Sequence, residues 1–140
     1  DRRTIVEAQH LALAGDTNGA IAQLRPREDD LFQSRVALYK LLSDAGRHAE
    51  ALAQARWLTQ HRGRAYIEAN ASQTLQPLNV ADARLAQLWV AESLYALGSN
   101  QAAREQAQAF VRAWPVTRLP AYLRSRVERI LSDSKAKMTV

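Results

Sequence analysis

The sequence predicts an all-α protein: an antiparallel helix-hairpin array with a C-terminal capping helix. Apolar residues recur at helical spacing along most of the 140 residues, and no strand-like alternation of useful length interrupts them. The apolar content is mostly Ala and Leu, strong helix formers, and β-branched residues are scarce. Only 5 Gly and 4 Pro punctuate the chain, few for a β fold with many turns.

The elements follow in order. Residues 4–14 place Ile5, Ala8, Leu11 and Ala12 on one helical face. Gly15 suits the C-terminal stop of that helix, and Asp16 suits the cap of the next. The second helix, roughly 17–26, carries Ala20, Ile21 and Leu24 and is broken at Pro26. Glu28, Asp29 and Asp30 then read as a capping cluster, because anions are favoured at helix N-termini, with Asp29 or Asp30 capping a third helix.

The third helix runs to about Ala45 with Leu31, Val36, Leu38, Tyr39, Leu41 and Leu42 as its apolar positions, and Gly46 ends it. Tyr39 is expected in the core between the two helices of its own pair. A fourth helix, about 47–62, carries Ala51, Ala55, Trp57 and Leu58. Between 63 and 80 the pattern loosens: Ala65, Tyr66 and Ala69 suit a short helix, whereas Asn70, Ser72, Pro77 and Asn79 suit a loop. Asn79 is expected to cap a fifth helix, 80–97, containing Leu85, Leu88, Trp89, Leu94, Tyr95 and Leu97. Gly98 closes it, Ser99 or Asn100 caps a sixth helix to about Trp114, and Pro115 stops that one. A last helix, about 121–133, carries Tyr122, Leu123, Val127, Ile130 and Leu131, and the polar tail from Ser134 is expected to fray.

Three of the glycines belong to one recurring pattern. Gly15, Gly46 and Gly98 each close a helix and are followed five residues later by Ala20, Ala51 and Ala103. The reason is steric. Two antiparallel helices joined by a tight turn approach closely only where small residues face each other, and Gly supplies the left-handed conformation that ends the first.

This Gly-to-Ala spacing resembles the tetratricopeptide repeat family. The units fall at about 2–28, 32–65 and 84–117, all in a single domain spanning 1–140. The second presents Leu38, Tyr39 and Leu42 before Gly46; the third presents Ala91 and Leu94 before Gly98, then Ala107, Phe110 and Pro115, the last where the family places its repeat-ending proline. The resemblance implies a TPR-like α-solenoid. The chain departs from the pattern in its intervals, 46 − 15 = 31 and 98 − 46 = 52, against a family period of about 34. The excess lies at about 63–80 and reads as an insertion, and the family's Trp is replaced by Arg35 and Gln87.

No catalytic constellation is visible, so the chain is not read as an enzyme. It has no Cys, which excludes disulfides, thiolate nucleophiles and zinc-thiolate sites. His10, His48 and His61 have no partner four residues away for a helical metal face. No G-x-S-x-G, P-loop, G-x-G-x-x-G or EF-hand loop occurs. No catalytic, metal or cofactor residue is assigned.

The expected function is that of a protein–protein interaction module, a scaffold or adaptor in a bacterial assembly that takes a peptide or protein in a helical groove. By the resemblance, Tyr95 faces the concave surface with Leu85, Leu88 and Glu92; the alternative is burial beneath the 63–80 insertion or the last helix. The family's carboxylate clamp is absent, because the matching positions Ile5, Val36 and Leu88 are apolar. The net charge of +5 is carried almost wholly by Arg. Arg56, His61, Arg62 and Arg64 form one basic group, and Arg118, Arg124, Arg126 and Arg129 a second. Arg124 and Arg126 join the candidate binding residues, and nucleic acid is the alternative partner class. The Arg and Ala bias agrees with a GC-rich bacterial genome. The chain starts at Asp1; a removed N-terminal signal or lipid anchor would place it in the periplasm, the compartment favoured over the cytoplasm, and would be its only membrane association.

Overall fold

The computed structural model describes residues 2–68 and 76–136. Among these, the elements are α1 (Arg2–Leu13), α2 (Thr17–Leu24), α3 (Phe32–Asp44), α4 (His48–Gln60), α5 (Arg62–Ile67), α6 (Gln76–Ala96), α7 (Asn100–Ala113) and α8 (Ala121–Ala136), with short 3-10 turns at Arg25–Arg27 and Val116–Arg118. Glycines end α1, α3 and α6, and a proline follows the end of α7. No strand occurs among the described residues, and the protein is all-α. No described helix is long and apolar enough to cross a membrane. Ala69, Asn70 and Ser72 lie outside the described residues, as does the tail beyond Ala136.

The three glycine turns are the same structure. Gly15, Gly46 and Gly98 have φ of +92°, +72° and +80°. The amide after each reaches back five residues, Asp16 to Leu11 O at 2.9 Å, Arg47 to Leu42 O at 2.8 Å and Ser99 to Leu94 O at 2.9 Å, while each glycine amide donates to the carbonyl three residues before it. This double bond satisfies carbonyls that the helix end would otherwise leave open. Ala20, Ala51 and Ala103 then have no exposed surface at all. Their amides close the first full turn of the second helix in each pair, bonding the carbonyls of Asp16, Arg47 and Ser99.

The pairs α1/α2, α3/α4 and α6/α7 pack as hairpins, α3 also touches α1 and α2, and α6 packs chiefly on α4 with a smaller contact to α3. The short α5 leans on α6, and α8 lies against α7 and α6. Leu88, Trp89, Val90 and Ala91 are four consecutive buried residues, so α6 is covered on every side at mid-length.

Two predicted caps are corrected. Leu31, not Asp29 or Asp30, precedes α3, and it makes no side-chain cap. Asp29 instead accepts from Arg35 at 2.6 Å, and Asp30 pairs with Arg27 at 3.3 Å. The Phe32 amide is capped from afar, donating to Glu68 Oε2 at 2.6 Å, and Arg64 holds that carboxylate at 2.6 Å. Likewise α6 begins at Gln76, with Pro77 in the first turn where a missing N–H costs nothing. Asn79 is therefore inside the helix, 2% exposed, accepting from Gln33 at 2.9 Å and donating to Ala65 O at 3.4 Å. Its polarity serves a bridge between helices rather than a cap.

Arg35 is only 9% exposed. It donates to Gln54 at 2.9 Å and to Asp29, and Gln54 donates on to Glu28 at 3.2 Å. Its guanidinium lies 4.2 Å from the Trp57 ring centroid, and His61 also stacks on that ring, at 4.1 Å. The first basic group is thus partly consumed in structure, since Arg64 also donates to Asp29 O.

Ala51→Trp and Ala103→Trp should each destabilise the fold by about 2 kcal/mol or more, because overpacking forces the paired helices apart. Ala53→Trp, on an exposed position of α4, is the control. Urea or thermal melts in which all three variants match the wild type would refute the close-packed hairpin.

Candidate binding groove

Three helices that are distant in sequence, α3, α6 and α8, supply most of one open groove of about 620 Å³, and His48 at the start of α4 also lines it. Its floor is aromatic. Tyr39 and Trp89, each 4% exposed, stack with centroids 4.7 Å apart and planes 15° from parallel. Tyr39 is buried, as expected of a core residue, and its ring stack ties α3 to the next hairpin. Burial pushes the Tyr39 phenol well above its ordinary value and the nearby Glu92 charge adds to this, with Ser93 and Ser43 partly offsetting it through hydrogen bonds. The hydroxyl stays neutral across the physiological range.

The walls carry charge. On α3, Lys40 projects over the Trp89 ring at 5.8 Å, within reach of a cation–π attraction. On α8, Arg126 grips Glu92 of α6 through two bonds of 2.6 Å each. That fork-to-carboxylate geometry is the strongest form of side-chain pairing, and it raises the affinity of Arg126 for its proton. Tyr122 is 63% exposed at the α8 edge. Asp82 is 4% exposed and accepts from Gln33 at 2.8 Å. Burial lifts its carboxyl above the usual aspartate range, with Gln33 and Lys40 pulling the other way.

Of the predicted binding residues, Leu85, Glu92, Tyr95 and Arg126 line this groove. Leu88 does not: it is 0% exposed, within the stretch where α6 is covered all round, and it offers nothing to a partner. Arg124 also lies outside the lining. It is two residues from Arg126, about 200° round the helix, and is exposed, donating to Leu119 O at 3.2 Å. Sequence reasoning missed Lys40, Asp82, Tyr122 and Arg129 as lining residues. Lys40 and Asp82 carried a signal, a charge set beside apolar helix positions, but the neighbour that gives each its meaning is on another helix.

Asp82 supplies a pH test. Its folded state favours the protonated acid, so its contribution to stability is fully present below the ordinary aspartate value of 3.8 and is lost as pH rises through the raised value. Asp82→Asn should therefore raise the melting temperature at neutral pH, and the two proteins should converge as pH falls toward 3.8. A variant that melts lower than wild type at neutral pH would show that the carboxylate's bonds outweigh its burial.

No protein-family model, curated protein or solved structure matches this chain.

Proposed function

We propose that this protein is a protein–protein interaction module that holds an extended segment of a partner in the α3–α6–α8 groove. One observation carries the reading: beside the buried Tyr39–Trp89 stack, Leu85, Tyr95 and Tyr122 give the groove accessible apolar surface between charges of both signs, Lys40 and Arg129 against Asp44, none of which forms an ion pair among the described residues. A peptide offers apolar side chains for such a floor and charges for such walls. A non-catalytic role fits the carboxylates, since Glu92 is clamped by Arg126 and Asp82 is engaged by Gln33.

The helix contacts support a TPR-like arrangement. The first helix of each later hairpin touches both helices of the hairpin before it, α3 on α1 and α2, and α6 on α3 and α4. Stacked hairpins of this kind leave an extended surface lined by their first helices, and α8 covers the end of the stack as a cap would. A scaffold or adaptor role in a bacterial assembly is the role proposed with that arrangement. The nucleic-acid alternative is weakened by the pairing of Arg126 with Glu92 and by the different direction of Arg124.

The test is affinity capture with the wild type and a Lys40→Glu/Tyr122→Ala variant, with and without nuclease, eluted by a salt gradient and read by mass spectrometry. The expected result is a protein partner that survives nuclease and moderate salt and is lost from the variant. Recovery that depends on nucleic acid, or that ignores the groove substitutions, would refute the proposal.

A further inference from the structure

A second concavity, of about 550 Å³, lies between the N-terminal half of α6 and the C-terminal end of α7 and shares no lining residue with the groove above. Phe110, 2% exposed, lies at its base, and Trp114 sits beside it with ring centroids 6.1 Å apart. Val80 lines it from α6. The rest of its chemistry is one-sided. Arg62 and Arg84 line it, both are exposed, and neither forms an ion pair among the described residues; no acidic residue lines it. Gln87, half-buried in the lining, has no hydrogen-bond partner among the described residues. Residues 76–136, which supply every lining residue but Arg62, hold eight Lys and Arg against five Asp and Glu.

We infer that this concavity is a second docking site, distinct from the α3–α6–α8 groove, for a partner segment in which a bulky apolar side chain is flanked by Asp or Glu. The apolar anchor fills the space over Phe110 and Trp114, the acidic flanks meet Arg62 and Arg84, and the Gln87 amide bonds a peptide main-chain group. Charge and shape select this occupant over others. A bilayer needs apolar side chains that protrude into it, whereas Phe110 is recessed. A second copy docked by the same face would set two arginines against two arginines. A nucleic-acid backbone needs a row of cations, and here two flank an apolar surface.

The site is tested by panning a random peptide library against the full chain, with an Arg62→Glu/Arg84→Glu variant as counter-selection. Selected peptides are then measured by fluorescence anisotropy. Acidic sequences with an aromatic or leucine anchor are expected to enrich, and charge reversal of both arginines is expected to weaken them by about tenfold or more. Ala81→Trp, at an exposed lining position, should block them, while Tyr122→Ala in the other groove should leave them unchanged. All these positions are exposed, and circular dichroism melts verify that the variants fold. Enrichment of basic or anchorless peptides, or no peptide that distinguishes wild type from the Arg62→Glu/Arg84→Glu variant, overturns the proposal. So does binding to phosphatidylglycerol vesicles, or concentration-dependent self-association, that the same two substitutions abolish.

Discussion

The burial of α6 on every side is the constraint on which the rest of the structure depends. Four consecutive residues, Leu88 to Ala91, are at most 5% exposed, so the helix has almost no solvent face there. Such a helix is stable only where neighbours surround it. Here they are α4 and α7, with α3, α5 and α8 completing the enclosure. By contrast α1 buries only Ala8 fully, and Leu13 near its end is 86% exposed. Stability is therefore graded from the middle of the molecule toward its N-terminal helix.

Two kinds of contact set the neighbours at the required distance. Alanines with no exposed surface follow each left-handed glycine and let the paired helices approach closely. Polar side chains then fix how one pair sits on the next. Gln33 of α3 reaches Asn79 and Asp82 of α6, and Glu68 caps α3 from the far end of α5. The arrangement around Arg35 follows the same logic: its guanidinium lies over Trp57, and Gln54 and Asp29 take its outer nitrogens. Its Nε has no hydrogen-bond partner among the described residues. Buried polar groups of this kind specify one register because any slip leaves several of them unsatisfied.

The all-α class, the glycine stops and the buried alanines were legible because each is written within one turn of chain: Gly15, Gly46 and Gly98 have the required φ, and Ala20, Ala51 and Ala103 are the close contacts. Asp29, Asp30 and Asn79 misled because they have the composition of caps, while their partners lie on other elements. Leu88 misled for a related reason. The resemblance groups it with Leu85 and Glu92 but carries no information about which neighbour covers that side. The Tyr39–Trp89 stack joins two hairpins, and no local pattern marks it. Part of the groove was readable, since Leu85, Glu92, Tyr95 and Arg126 do line it, but its floor and its charge balance depend on pairings between helices.

Because α6 is enclosed only at mid-length, its remaining surface is free to line two separate concavities, one of mixed charge beside α3 and α8 and one basic and apolar beside α7. One helix thus contributes lining residues to both the groove and the second concavity. Native-state hydrogen exchange, resolved by residue, tests this account most directly. The slowest amides are expected in α6 from Leu88 to Leu94 and in the facing α4 from Ala51 to Leu58, with α1 exchanging first. Central α6 amides that exchange as early as those of α1 would contradict the claim that the fold is organised around α6.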